Sequence, residues 1–293
     1  MSSKTTINFF LITILLSFSI ELTAQDFNYN KYGKLYRLSL SSSMFPHDER
    51  KDGHTYGEEF YSFEEHYNDS TTLVFVPNHV SLEEEFDVVL FFHGWWNNVD
   101  SSLVNFHLAE QLYESRRNAI LVLPEGPKNS ADSFGGKLEE SGQFKKLIEE
   151  VLSSLPASTI KHSESFNYIL AGHSGAGRVM AYILMHGGLT EQIKEVYLFD
   201  GLYEQVEKYT YWLDNYKGRF INIYTPNAGT KYLSENLMVS LNAWNIPFKH
   251  ISSDEFKDDV LRNGRIIIIE SQLGHNEVIS SQNQFRRFLE TGK

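Results

Sequence analysis

Six short runs of almost wholly apolar residues recur along the chain, and each is followed by a stretch with helical spacing. A continuous apolar run of this length is typical of a strand that is buried on both faces, and such strands occur in parallel sheets covered by helices. We therefore predict an α/β fold with a mostly parallel central sheet flanked by helices on both faces. The runs are residues 88–92, 119–123, 168–171, 196–199, 220–224 and 266–269.

Two further strands are predicted upstream of these runs. Residues 35–40 alternate apolar and polar side chains, which is typical of a half-exposed strand, and residues 72–77 form its predicted neighbour. The sheet would then have about eight strands. Apolar residues with a helical period predict the helices, which are residues 103–112, 144–155, 234–242 and 276–289.

The first 24 residues have the pattern of an export signal. Lys4 precedes an apolar run over residues 9–20, and small residues follow at Thr23 and Ala24. The uncharged stretch from 5 to 20 is shorter than the roughly 20 residues that a membrane-spanning helix needs, although an uncleaved anchor is the alternative. We predict a signal peptide over 1–24, a single domain over 25–293, and a secreted or periplasmic protein without stable membrane insertion after cleavage.

Charge and cysteine content exclude several classes of function. The chain of 293 residues has 26 Lys and Arg against 38 Asp and Glu, a formal net charge of −12. Because such a surface repels phosphate backbones, we predict that the protein has no nucleic-acid partner. The sequence contains no cysteine, which excludes a thiolate nucleophile and disulfide bonds.

A serine between small residues follows the apolar run 168–171. The sequence Gly172-His173-Ser174-Gly175-Ala176-Gly177 leads into an apolar helical stretch, and this strand–turn–helix context is typical of a nucleophile elbow. In such a turn the serine is strained, and the backbone N–H of Gly175 faces a developing oxyanion. The common pattern has Gly two positions after the serine; here Ala176 stands there, which we interpret as a tolerated variant.

A serine nucleophile needs a general base and an acid, in the chain order Ser, Asp or Glu, His. His275 lies in a loop after the last predicted strand, at the carboxyl edge of the sheet, whereas His186 and His250 are placed less favourably. Asp200 follows the strand 196–199 and is the predicted acid, and Asp254 is the alternative. The more usual position for the acid, residues 225–229, contains no carboxylate.

The loop after strand 88–92 begins with His93-Gly94-Trp95. Glycine allows a loop backbone to turn its amides toward a substrate, so we predict the second oxyanion donor to be the N–H of Trp95, with Gly94 as the alternative. His93 precedes the serine and is interpreted as a structural residue that holds this loop down.

With these motifs in this order, the chain from about residue 35 to its end resembles the alpha/beta-hydrolase superfamily. The resemblance implies a serine hydrolase that forms an acyl-enzyme and needs no cofactor. The resemblance indicates the type of reaction more closely than it indicates the substrate. The expected activity is cleavage of a carboxylic ester, with an acylated carbohydrate or another short acyl ester as substrate. The alternatives are a serine peptidase of the same fold and a non-catalytic binding protein on a hydrolase scaffold.

Residues that would contact the substrate follow from the predicted strand ends. Trp96, Asn97, Glu125 and Tyr203 are the candidates, since aromatic faces and amides suit a glycan or small-molecule ester. Tyr203 and the aromatic residues after it could equally form an amphipathic helix packed on the sheet.

The polar segment 44–63 carries five potential metal-binding side chains, but their spacing matches no helix-based zinc motif. We therefore predict no metal, and expect this segment to fold over the carboxyl edge of the sheet. The five side chains are His47, Asp48, His54, Glu58 and Glu59.

Overall fold

A computed structural model of the protein describes residues 29–81, 84–156, 166–253 and 256–292. Within these ranges, nine strands form one sheet and two strands form a separate hairpin. The signal-like segment 1–24 and Asp254 lie outside the described residues. The strands are β1 (Gly33–Ser39), β2 (His54–Tyr56), β3 (Glu59–Tyr61), β4 (Thr71–Pro77), β5 (Asp87–Phe92), β6 (Ala119–Pro124), β7 (Asn167–His173), β8 (Ile193–Phe199), β9 (Arg219–Tyr224), β10 (Lys249–Ser252) and β11 (Ile266–Glu270).

The large sheet is mostly parallel. Its strand order is β1-β4-β6-β5-β7-β8-β9-β11-β10, and only β4 runs antiparallel to its two neighbours. All other neighbouring pairs are parallel, so their carboxyl ends meet at one edge. All eight strands predicted from the sequence are present, with ends that differ by at most a few residues. The predicted fold class is thereby confirmed.

The continuous apolar runs arise because both faces of the sheet are buried. In β7, Tyr168 and Leu170 pack into the core on one face, whereas Ile169 and Ala171 pack into the core on the other. Each large side chain buried in this way stabilises the fold by roughly 1.5–3 kcal/mol relative to its exposed state. A strand with apolar residues on both faces is therefore stable only when helices cover both sides.

Helices α4 to α7 cover one face of the sheet, and α2, α3, α8 and α9 cover the other. The predicted helix over 144–155 is confirmed as α4. The helices are α1 (Phe63–His66), α2 (Val99–Asn105), α3 (Leu108–Ser115), α4 (Gln143–Ser154), α5 (Gly177–His186), α6 (Val206–Asn215), α7 (Thr230–Ala243), α8 (Asp258–Asn263) and α9 (Gln284–Glu290).

Two predicted helices are interrupted in the structure. The stretch 103–112 is divided between α2 and α3, because His107 adopts a left-handed backbone with φ +52°. A continuous helix over 276–289 is also wrong: Gln282 and Asn283 have φ of +64° and +53°, and only α9 is α-helical there. A left-handed residue ends regular helical hydrogen bonding, and the apolar spacing does not reveal it.

Two strand regions were not predicted. The hairpin β2–β3 lies within the polar segment 44–63, and β10 is an edge strand in which three of its four residues are exposed. Neither has the alternating or continuous apolar pattern of a buried strand. In the part of the chain that the structure describes, no helix is both long and apolar enough to cross a membrane.

Candidate active site

Ser174 lies at a sharp turn between β7 and α5. A single 3₁₀ turn, Ser174–Ala176, joins the strand to the helix, and the serine itself has φ +56°. A left-handed backbone at a residue other than glycine costs of order 1–3 kcal/mol and persists only where the surrounding structure imposes it. The strained conformation expected of a nucleophile elbow is present at this serine.

Small residues around the serine are required by close packing. A side-chain carbon on Gly172 would lie 2.4 Å from the Met180 sulfur and 3.0 Å from the Cβ of Ala176. One on Gly201 would lie 3.0 Å from the Ser174 carbonyl oxygen. The methyl group of Ala176 fits because Gly172 opposite has none, which explains how the departure from the usual glycine is accommodated.

His275 and Asp200 are in contact beside this turn. The Nδ1 atom of His275 lies 2.7 Å from Oδ2 of Asp200, where the ring N–H donates to the carboxylate. Asp200 is completely buried at the end of β8, whereas the His275 side chain is 31% exposed. Ser174 and His275 line the same cavity at the carboxyl edge of the sheet.

The Asp200 carboxylate accepts further hydrogen bonds from the loop after β9. The backbone N–H of Thr225 donates to Oδ1 over 2.9 Å, its hydroxyl donates to Oδ2 over 2.7 Å, and the Thr230 hydroxyl also donates to Oδ1. Burial raises the pKa of Asp200, but the hydrogen bonds from His275, Thr230 and Thr225 outweigh burial and leave it below its ordinary value. Asp200 is therefore a carboxylate at neutral pH.

Sequence reasoning missed Thr225 and Thr230. Residues 225–229, the usual position of the acid, contain no carboxylate, but Thr225 at their start and Thr230 directly after them carry hydroxyl groups. A buried carboxylate needs several donors, so the two threonines next to the expected acid position were the available signal.

Gly94 packs directly against the nucleophile. A side-chain carbon on Gly94 would lie 2.5 Å from the Ser174 Cβ and 3.1 Å from its Oγ, so only glycine allows the loop to approach this closely. One on Gly175 would lie 2.8 Å from the Trp95 ring. The Trp95 indole N–H donates to the Ser133 hydroxyl over 2.7 Å, which fixes the ring. Of the three residues predicted for the oxyanion hole, Gly94 and Gly175 thus adjoin the serine, and the Trp95 ring packs against Gly175.

His93 lies beneath this loop. Its Nδ1 is 2.8 Å from the Gly94 carbonyl oxygen, and its Nε2 is 2.9 Å from Oε1 of Glu125. Both side chains are almost completely buried, and Glu125 also accepts from the backbone N–H of Val99 over 3.2 Å. The interpretation of Glu125 as a substrate-binding residue is not supported, because its carboxylate is turned under the loop and does not line the cavity.

The cavity has a volume of about 1000 Å³. Three predicted substrate-binding residues, Trp96, Asn97 and Tyr203, line it. Lys and Arg are missing from its described lining, and Glu204 is the one carboxylate there. The remaining lining residues are Trp95, Ser101, Asn105, Phe106, Ser133, His173, Ser174, Gly175, Ala228, His275 and Asn276.

Aromatic rings surround the mouth of this cavity. Trp96 is 61% exposed and has φ +52°, so a large ring is held toward solvent on a strained backbone. Its indole N–H donates to the Tyr61 hydroxyl over 3.1 Å, and Tyr56 packs edge-on against Trp95 at 4.8 Å. Because Tyr56 and Tyr61 belong to the hairpin β2–β3, the expectation that segment 44–63 folds over this edge is confirmed.

Tyr203 lies on another wall of the cavity, just before α6. Its ring is edge-on to His275 at 6.4 Å. Burial raises the pKa of Tyr203 to about 12, with a smaller contribution from the charge of Asp200, so the phenol stays protonated at neutral pH. The alternative interpretation, an amphipathic helix packed on the sheet, applies to the later residues Tyr209 and Trp212. They lie in α6 and are completely buried in the core.

The other histidines after the elbow lie outside the cavity lining. His186 donates through Nε2 to the Glu139 carbonyl oxygen over 2.7 Å, and His250 lies on the exposed strand β10, within 3.1 Å of the Tyr224 hydroxyl. In the described ranges, no three His, Asp or Glu side chains gather closely enough to hold a metal ion.

Neither a protein-family model nor a curated protein matches the sequence. Solved structures similar to this chain include a ferulic acid esterase, with 13% identity, a TM-score of 0.57, and coverage of 88% of this chain and 98% of the other. A mutant feruloyl esterase module from Clostridium thermocellum complexed with sinapinate has 10% identity, a TM-score of 0.56, and coverage of 89% and 88%.

An S-formylglutathione hydrolase from Agrobacterium tumefaciens is also similar, with 13% identity, a TM-score of 0.53, and coverage of 92% of this chain and 98% of the other. These structures belong to the superfamily that the sequence motifs resemble. The chain therefore has the alpha/beta-hydrolase fold.

Proposed function

On this alpha/beta-hydrolase fold, we propose that the protein is an exported serine hydrolase that cleaves a carboxylic ester through Ser174, His275 and Asp200. The observation that carries the proposal is the 2.7 Å contact between His275 and the buried, multiply hydrogen-bonded Asp200, in the same cavity as the strained Ser174. A scaffold that only binds ligands has no need of a buried carboxylate aligned on a half-exposed imidazole.

The reaction proceeds in two steps. Ser174 Oγ attacks the ester carbonyl carbon while His275 takes the hydroxyl proton, and Asp200 stabilises the imidazolium that forms. The N–H groups of Gly175 and Trp95, with Gly94 as the alternative to Trp95, donate to the oxyanion. His275 then gives its proton to the leaving alcohol. Water, deprotonated by the same imidazole, then attacks the acyl carbon. The bond to Ser174 Oγ breaks, the imidazolium returns its proton to that oxygen, and the acid is released.

The cavity lining favours a neutral substrate with a ring. Exposed aromatic faces at Trp96 and Tyr203 offer stacking surfaces, and the nearby amides and hydroxyl groups offer hydrogen bonds to a sugar or a phenol. Among the described residues, the lining has one carboxylate and no Lys or Arg. This charge pattern disfavours an anionic substrate such as a glutathione thioester, which carries carboxylates of its own. An acylated carbohydrate fits these features, and so does another neutral short acyl ester.

Export and a single domain are proposed from the sequence pattern. Residues 1–24 act as the signal peptide, residues 25–293 form one hydrolase domain, and the mature protein is secreted or periplasmic. The catalytic cycle uses no cofactor, and the acidic surface does not bind nucleic acid.

A fluorophosphonate probe tests the proposal. The wild-type protein should be labelled covalently, and Ser174→Ala should not; equal labelling of both proteins would rule the proposal out. A panel of short-chain, sugar and phenolic esters then identifies the substrate class, with each neutral ester paired with a carboxylate-bearing analogue. Turnover of peptides alone would favour a serine peptidase, and binding of glycans without labelling or turnover would favour a non-catalytic scaffold.

A further inference from the structure

We propose that His173 is a positioning residue that fixes the loop carrying the base His275. This inference rests on the proposed function, because it assigns a role to His173 only if His275 acts on Ser174. The residue belongs to the elbow, yet the mechanism above does not use its side chain.

His173 joins the positions of the nucleophile and the base. It is the last residue of β7 and directly precedes Ser174. Its Nε2 atom lies 2.9 Å from the backbone carbonyl oxygen of His275, so the ring N–H donates to the loop after β11. A movement of the His275 backbone relative to the serine must therefore break or bend this hydrogen bond.

The His173 ring is held between two other rings. The His275 ring lies 4.5 Å away at an angle of 36°, and the Phe106 ring packs edge-on at 5.1 Å. His173 is only 3% exposed. Because the ring is packed in this way, its N–H has a fixed direction and holds the His275 carbonyl group in one place.

His275 is thus held at two points. Asp200 binds its Nδ1 from one side, and His173 binds its backbone carbonyl oxygen from another. The first contact orients the ring, and the second fixes the backbone from which the ring projects. A displacement of about 1 Å in a catalytic group can cost about a hundredfold in rate, so the second contact bears directly on catalysis.

His173 stays neutral at neutral pH. The pKa of His173 is lowered to about 4, chiefly by burial and next by a positive charge on His275, with a small lowering from His93. The hydrogen bond to the His275 carbonyl oxygen and the charge of Asp200 act in the opposite direction. A neutral ring has one N–H, and here it is on Nε2. Of the two adjacent rings, only His275 becomes charged during the reaction, so His173 does not oppose that charge.

The test compares two substitutions at this position. His173→Phe keeps a ring between Phe106 and His275 but has no N–H, whereas the side-chain amide of His173→Gln can donate in place of Nε2. The control is His186→Phe, since His186 also donates through Nε2 to a backbone carbonyl oxygen, but away from the cavity. Rates of fluorophosphonate labelling and ester turnover are measured for each protein, per active site titrated with the probe.

We expect His173→Phe to lower kcat about tenfold with little change in KM, and His173→Gln to stay within about threefold of wild type. The control should retain wild-type kcat. Titration per active site keeps the comparison valid if a variant folds less efficiently.

Three results would overturn the inference. They are wild-type kcat in His173→Phe, equal losses in the Phe and Gln variants, and an equal loss in the control. Failure of the wild-type protein itself to label or turn over any ester overturns the proposed function, and is thereby distinguishable from failure at His173 alone.

Discussion

The site contains two histidine–carboxylate pairs with nearly the same contact distance and different surroundings. His275 lies 2.7 Å from Asp200, and its side chain is 31% exposed at the cavity. His93 lies 2.9 Å from Glu125, is only 2% exposed, and has both ring nitrogens occupied: Nδ1 contacts the Gly94 carbonyl oxygen, and Nε2 contacts Glu125 and the Gly126 N–H.

The difference separates a catalytic pair from a structural pair. A general base needs one nitrogen directed at the substrate and the other held by an acceptor. His93 uses both nitrogens inside the protein and holds the oxyanion loop, whereas His275 uses one and presents its ring to the cavity. Distance to a carboxylate alone does not identify the base.

The largest effect is expected from the same chemical change in both pairs. Asp200→Asn replaces the carboxylate that accepts the His275 Nδ1–H with a neutral amide, which cannot stabilise the imidazolium by its charge. We expect this change to lower kcat by about 10⁴-fold. Glu125→Gln leaves a group that can donate to His93 Nε2, and should change kcat less than about threefold. Ester turnover per titrated active site measures both; comparable losses would remove the distinction between the pairs.

Removing the buried carboxylate should affect stability. Glu125→Ala leaves the His93 Nε2 and the Val99 N–H without this partner in a buried site, so we expect a loss of about 3 kcal/mol in the free energy of unfolding. The control is Glu140→Ala, since Glu140 contacts His47 over 3.0 Å with its side chain 49% exposed, and should cost less than about 1 kcal/mol. Urea denaturation measures both variants. Equal losses in the free energy of unfolding would contradict a structural role for the His93–Glu125 pair.

The depressed pKa of His173 predicts how stability depends on pH. Its pKa is lowered from 6.5 to about 4. Between these pH values the unfolded chain binds a proton that the folded chain does not. The free energy of unfolding therefore has its full value above pH 6.5 and decreases as the pH falls toward 4. At pH 5 this contribution is a loss of about 2 kcal/mol relative to pH 7. Urea denaturation at the two pH values measures this difference, and His173→Gln should remove it. An unchanged pH dependence in the variant would contradict a neutral, buried His173.

The smallest effect is expected at the rim of the cavity, outside both pairs. Trp96→Ala removes an exposed ring at the mouth, and should lower kcat/KM for ring-bearing esters about fivefold, or about 1 kcal/mol, through KM. Esters of small alkyl alcohols should be affected less. Trp244→Ala is the control, since its ring is 51% exposed and does not line the cavity. Equal losses for both ester classes would mean that Trp96 does not select for rings.

The sequence predicted the main sheet and the order of the candidate catalytic residues because both depend on local patterns. Runs such as 88–92 are apolar on both faces, and Ser174 stands in a short motif with a fixed context. Asp200 and His275 followed from strand ends, because the carboxyl ends of parallel strands share an edge.

Other features depend on contacts between distant parts of the chain. The hydroxyl groups of Thr225 and Thr230 have meaning only beside Asp200, and Glu125 is polar at a strand end yet is turned inward by His93. Chain order does not reveal that His173 bonds to the carbonyl group of a residue 102 positions later. Strand β10 was missed because an exposed edge strand lacks an apolar period.

The rate of phosphonylation at Ser174, followed by intact mass and located by peptide mapping, tests the central claim most directly. If His275 activates Ser174, wild-type protein gains one adduct on the peptide containing Ser174, and His275→Ala reacts more than about a hundredfold more slowly while keeping its fold. An adduct on another residue, or the same rate in both proteins, would contradict it.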